Sequence, residues 1–331
     1  MSQSSPSATA SKINCSRFYF EYHGHQIDDL TTFHKITLAE RPDKPIIYLA
    51  GDSSLDNKYW VCPGHEVSTE APDIYRKTLS KPEPKPDVAF WMNHILQDRA
   101  TCINTAVEES MLRHRDDKLR EHDEFIRNNI RKEDILIISV GGNDVALSPT
   151  YSTIRHILQL AWLTSRASLE AGTAGSLQYF KTFFGTKIQN YVVRLVAKTK
   201  PRAVIVCMIY FPLESGLGQT SWADTQLKAM GYNSSPGQLQ AAIRTIYEIA
   251  TKEIRVEGTE IVPCALHEVL DGKNMGDYAA RVEPNENGGR KMALRFVELL
   301  DNILNKRNGV DAQHDDILEN TEDVNTQHDE L

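Results

Sequence analysis

Apolar and polar positions alternate along this chain in two distinct rhythms. Short continuous apolar runs occur at Pro45-Ile46-Ile47-Tyr48-Leu49-Ala50, Ile135-Leu136-Ile137-Ile138-Ser139-Val140, Ala203–Phe211 and Glu260–Ala265. Runs of this length bounded by glycine or proline read as strands buried on both faces. Between them the apolar residues recur at helical spacing. The pattern predicts helices near 87–99, over about 108–130 (Leu112, Leu119, Ile126, Ile130), through most of 152–199 with a break at Ala171–Gly175, on the stripe Leu239, Ile243, Ile246, Ala250 and Ile254, and from about 286 to 305. A further short run, Thr101-Cys102-Ile103-Asn104, lies between the first two helices, and Phe18–Lys44 has no clear rhythm. The proline-rich stretch 63–86 reads as a long surface connection, and 212–237 reads as a glycine-rich loop carrying Trp222 and Tyr232. Strands alternating with helices predict an α/β fold, a three-layer α/β/α arrangement around a parallel, flavodoxin-like sheet.

Composition trims the range of functions. At 331 residues, 40% hydrophobic and 25% charged, the chain is long enough for one large α/β domain. The formal charge is -8, and eight acidic residues with no Lys or Arg fall in 308–331. Removing those eight from 45 acidic residues leaves 37 to balance 37 basic ones. A neutral body with an acidic tail lacks the basic footprint of a nucleic-acid binder. The expected division is a disordered Ser-rich leader over 1–17, one domain over 18–305, and a disordered acidic tail over 306–331. Five widely spaced cysteines without a CxxC fit a reducing compartment and offer neither a zinc site nor a disulfide framework. No stretch reaches 18 apolar residues, so no membrane span is expected. With no apolar leader at the N-terminus the expectation is a cytoplasmic protein, and the terminal His328-Asp329-Glu330-Leu331 leaves the endoplasmic-reticulum lumen as the alternative. Neither GxGxxG nor a glycine-rich loop ending in Lys-Ser/Thr occurs, so there is no phosphate cradle, and no cofactor or metal is expected.

The candidate chemistry sits at strand ends. Gly51-Asp52-Ser53-Ser54 follows the first strand and Gly141-Gly142-Asn143-Asp144 follows the third. In an open parallel sheet the carboxyl ends of neighbouring strands share one crevice. A serine hydroxyl and an asparagine amide there supply a nucleophile and an oxyanion donor for acyl transfer. Taken alone, Ser53 also reads as a helix cap, Asn143 as a turn residue and Asp144 as structural.

These two blocks, followed by Glu283-Pro284-Asn285 ahead of Gly288-Gly289-Arg290-Lys291-Met292-Ala293, resemble the SGNH (GDSL-like) hydrolase family over roughly residues 45–300. The resemblance implies Ser53 as nucleophile and Asn143 as oxyanion donor, with Gly142 and Asp52 beside them. It also marks two departures. Where the family has a glycine whose N–H completes the oxyanion hole, this chain has Glu109, or Glu108 if the register shifts by one. Where the family has Asp-x-x-His-Pro, the chain has Ala280 and Glu283 before Pro284, with Asp277 the nearest upstream acid. Glu283 then stands as the base, a role that burial would favour and pairing with Arg281 would oppose. His65 and His267 are the alternative bases, and Trp222 is a pocket candidate. The implied function is a serine ester hydrolase acting on a small-molecule ester; the alternative is a catalytically inactive relative that binds a small ligand or a protein partner. Oligomeric state is left open.

Overall fold

The structure is a computed structural model. It describes residues 12–61 and 70–326, with side chains described as far as 306 except at 161 and 162. Five parallel strands form the central sheet: β1 (Ile46–Gly51), β2 (Thr101–Asn104), β3 (Ile135–Ser139), β4 (Ala203–Met208) and β5 (Glu260–Ala265), in the order β2-β1-β3-β4-β5. Every residue of β1 to β4 is buried, which is why these segments read as unbroken apolar runs. The chain steps one way from β1 to β2 and the other way from β3 to β5. Right-handed crossovers therefore place helices on both faces. Helix Val88–Leu96 packs with the last helix, and helix Glu121–Asn129 packs with Ile188–Leu195. This is the expected three-layer α/β/α arrangement around a parallel sheet of flavodoxin-like order. Its topological switch point lies between β1 and β3, the two strands that carry the candidate motifs.

Four local expectations are corrected. The helix expected over 108–130 is instead a short 3-10 turn, Leu112–Arg115, followed by helix Glu121–Asn129. The Asp144 carboxylate captures the N–H groups of Leu112 (2.7 Å) and Arg113 (3.1 Å), so the backbone there serves the site rather than a continuous helix. Residues 18–44, which have no clear rhythm, contain helix Ile27–Glu40, with helix Cys15–Phe20 at their start. The proline-rich connection holds helix Asp73–Thr78, whose Ile74 and Tyr75 are buried; 62–69 lie outside the described residues. The last helix runs Glu286–Thr326, past the expected end at 305. Adding residues to an existing helix is far easier than nucleating one. The leader up to residue 11 and the final 327–331, including the His-Asp-Glu-Leu terminus, lie outside the described residues.

A small antiparallel hairpin, β6 (Tyr278–Ala280) with β7 (Glu283–Pro284), precedes the last helix and delivers Glu283 to the sheet's carboxyl edge.

Candidate active site

The site begins with a close approach between β1 and β3. A Cβ at Gly51 would lie 2.0 Å from the Ser139 carbonyl oxygen, so no other residue fits at the end of β1. The Asp52 N–H then donates to that same carbonyl at 3.2 Å. The Asp52 carboxylate folds back to accept from the Ser54 N–H (3.1 Å) and hydroxyl (2.7 Å), which turns the chain sharply and leaves Ser53 at its apex. Ser54 also bonds Ser139 Oγ at 2.7 Å, tying the turn to β3. The next helical turn, Asn57–Tyr59, is not capped by Ser53, so the capping role is excluded. Burial raises the Asp52 carboxyl to about 6 despite its bonds to Ser54.

After β3, Gly141 at φ +103° makes the turn into helix Gly142–Ala146, a conformation L side chains rarely adopt. Asn143 and Gly142 reach the pocket from this turn. One amide hydrogen of Asn143 is held by the Ser110 carbonyl at 3.1 Å, which fixes the amide plane and leaves its second hydrogen for a ligand. Asp144 serves the scaffold, as its bonds to the 112–113 backbone show.

The 104–110 loop supplies the third wall. Asp56 accepts the Glu108 N–H (2.9 Å) and the Gly24 N–H (3.0 Å), and pairs with the buried Lys58 ammonium at 2.6 Å. Ser110 Oγ donates to the Gly51 carbonyl at 2.8 Å. Between these anchors Glu109 takes φ +58°, a left-handed conformation held here by a non-glycine. Of the two candidate positions, Glu109 and not Glu108 has the left-handed backbone. Its side chain turns away to accept from the Tyr22 hydroxyl at 3.1 Å. Among the described residues, no protein acceptor takes the N–H of Glu109 or of Ser53. Glu108 is buried instead, with Oε1 accepting from Trp60 Nε1 at 3.2 Å.

Glu283 enters from β7 and is 1% exposed. Trp222 Nε1 donates to its Oε1 at 3.1 Å, and Oε2 has no hydrogen-bond partner of ordinary geometry. Burial lifts the carboxyl to about 8; the Ser53 hydroxyl and the Trp222 indole pull it down, and Asp52 and Glu109 push it up. Glu108, desolvated and facing the Glu283 charge, is lifted to about 9. Arg281 does not relieve this. Its guanidinium donates to the Leu213 carbonyl (3.0 Å) and to Asp224 (2.8 Å).

Ser53, Asn143, Gly142, Asp52, Trp222 and Glu283 thus line one pocket of about 90 Å³, open over an apolar floor. Three expected members are absent from its walls: Glu109, whose side chain turns to Tyr22, Asp277 and His267. Asp277 accepts from Lys291 Nζ at 2.7 Å, on the last helix, because the hairpin turns it away from Ser53. His267 is buried in a stack on Phe211 and against Tyr247, and burial with the nearby Arg244 lowers it to about 4. His65 lies outside the described residues. Sequence reading missed Asp56, Lys58, Ser110 and Trp60, which hold the 104–110 loop; a buried Asp-x-Lys carries no motif that would have marked it. Among the described residues no cluster of side chains could hold a metal ion, and no helix is long and apolar enough to cross a membrane.

No protein-family model and no curated protein matches the sequence. Solved structures do. The chain is similar to an extracellular lipase from Streptomyces rimosus (12% identity, TM-score 0.45, covering 78% of this chain and 99% of that one). It is also similar to a carbohydrate acetylesterase from Sinorhizobium meliloti (11%, TM-score 0.41, 78% and 100%) and to an aryl esterase of M. smegmatis (12%, TM-score 0.40, 78% and 99%). At these scores the likenesses are no basis for a substrate.

Proposed function

We propose that the chain is a serine ester hydrolase in which Glu283 does the work usually given to a histidine. The observation that carries this reading is that Ser53 and a buried glutamate with an unpartnered Oε2, its carboxyl lifted to about 8 by burial, line the same pocket. A glutamate at its ordinary value is a poor base at neutral pH, whereas one lifted by burial approaches the strength the reaction needs. Trp222 Nε1 fixes the carboxylate's orientation, the part an aspartate plays for histidine.

In the proposed cycle Ser53 Oγ attacks the ester carbonyl as its proton passes to ionised Glu283. The oxyanion is held by Asn143 Nδ2 and the N–H groups of Ser53 and Glu109. Glu283 returns the proton to the departing alkoxide, leaving an acyl-serine. A water then attacks that acyl group, giving its proton to Glu283, and collapse of the second intermediate protonates Ser53 and frees the acid.

One observation favours the second reading, a ligand-binding protein without turnover: with its pKa near 8, Glu283 is mostly protonated at neutral pH. Hydrolysis of short p-nitrophenyl esters separates the two. The hydrolase reading expects wild-type turnover that Ser53→Ala abolishes, with a melting temperature nearly unchanged. Turnover that persists in Ser53→Ala, or none in wild type across an ester panel, contradicts it.

A further inference from the structure

Beyond the reacting groups, the pocket has a second half that ester hydrolysis as such does not require. Val145, Ile209, Met230, Leu239 and Ile243 line the active-site pocket and at the same time line an adjoining cavity of about 40 Å³. All of that cavity's walls are apolar, and Phe180, Phe184, Ala242 and Ile246 form its deeper part. Its volume exceeds the ~10–15 Å³ a water needs, yet it offers a water no hydrogen-bond partner; such spaces stay dry and take apolar ligands. Two of its residues, Leu160 and Phe184, stand on π-helical turns, Gln159–Leu163 and Thr182–Lys187. Turns of that kind are a costly irregularity, found most often at functional sites.

We propose that this cavity, which shares five wall residues with the pocket at Ser53, seats a straight aliphatic acyl chain of more than two carbons, the acid portion of the ester. The assignment rests on the hydrolase reading for its direction. A leaving alkoxide must face the group that protonates it, and Glu283 is flanked by Trp222 and Val282, which line the outer pocket only. The deep cavity is shared through Val145, two residues after the oxyanion donor Asn143, so it receives the part of the substrate that stays on Ser53. An apolar chain there gains ~0.8 kcal/mol per buried methylene.

The test is a chain-length series. For p-nitrophenyl esters from acetate to dodecanoate, kcat/KM should rise about fourfold per methylene, the value that ~0.8 kcal/mol converts to, as far as hexanoate or beyond. Ala242→Phe, which fills the cavity, should lower the ratio of decanoate to acetate kcat/KM at least tenfold. Phe180→Leu, which opens it, should move the preferred length upward and keeps the test alive if Ala242→Phe does not fold. A rise along alkyl acetates with a flat acyl series would put the chain on the alcohol side and overturn the assignment. Calorimetric binding of sodium decanoate to Ser53→Ala separates the two claims. Decanoate bound, and weakened tenfold by Ala242→Phe, while the wild type hydrolyses no ester keeps the acyl seat and sinks the hydrolase. Ester turnover with a flat series and no decanoate binding does the reverse.

Discussion

At the scale of single residues, the carboxyl of Glu283 decides what the pocket can do. A glutamate where the SGNH resemblance expects a histidine could be read in the sequence, from its place ahead of Pro284 and the glycine pair at 288–289. What burial does to it was not visible. A carboxylate at its ordinary pKa would give a pH–rate limb in the acid range. With the group lifted to about 8, kcat/KM should instead rise with pH through a limb near 8, since only the ionised form accepts the serine proton. Glu283→Gln keeps the size and removes the basicity, so kcat should fall by ~10²–10⁴ with KM little changed. Steady-state kinetics across pH 6 to 9.5 measure both. Full activity in Glu283→Gln would remove Glu283 from the mechanism. Glu109 makes the complementary point: its sequence identity argues against the glycine role, whereas its φ of +58° supplies the backbone that glycine would.

At the scale of elements, the four long strands and the helices over 88–96 and 236–249 could be read directly, because their apolar residues obey one period and their ends are marked by Asp87, Pro201 and Pro236. The 104–120 segment could not. Leu112 and Leu119 are both buried and fall at helical spacing, yet the backbone at Glu108 is tied to Asp56 and that at Leu112 and Arg113 to Asp144, groups distant in sequence. Tertiary hydrogen bonds overrode the local period. Asp56 is the anchor, accepting from Gly24, Glu108 and Lys58 while fully buried. Asp56→Ala leaves the Lys58 ammonium buried without its partner, and removing one member of such a pair costs about 3–5 kcal/mol. Urea denaturation should show a loss of that size. A loss under about 1 kcal/mol would mean the loop that carries Glu109 is held by other contacts.

At the scale of the whole molecule, the site concentrates buried acids. Asp52 stands near 6, Asp87 near 7, Glu283 near 8 and Glu108 near 9, each raised chiefly by desolvation. A raised carboxyl favours the folded state while protonated, and that contribution is lost as pH climbs toward the folded-state value. The buried histidines act oppositely, but only below their ordinary value of about 6.5, since above it they are neutral in both states. Stability should therefore decline between pH 7 and 8.5, and Glu108→Gln/Glu283→Gln should flatten the decline. Melting temperatures across that window report it; an equal slope in wild type and double variant would show that these two carboxyls are not raised. The sheet order that creates the pocket was predictable from alternating strands and helices, but the pile-up of acids was not, because Asp56, Glu108 and Glu283 meet only through three different connections.

The central claim is that Ser53 and Glu283 form one reactive unit, and the rate at which a fluorophosphonate labels the protein tests it most directly. Labelling measured by intact mass, with the adduct mapped by peptide digestion, should place a single adduct on Ser53. Its rate should climb through an apparent pKa near 8 and fall at least a hundredfold in Glu283→Gln. An adduct elsewhere, no adduct at all, or an unchanged rate in Glu283→Gln would contradict the account.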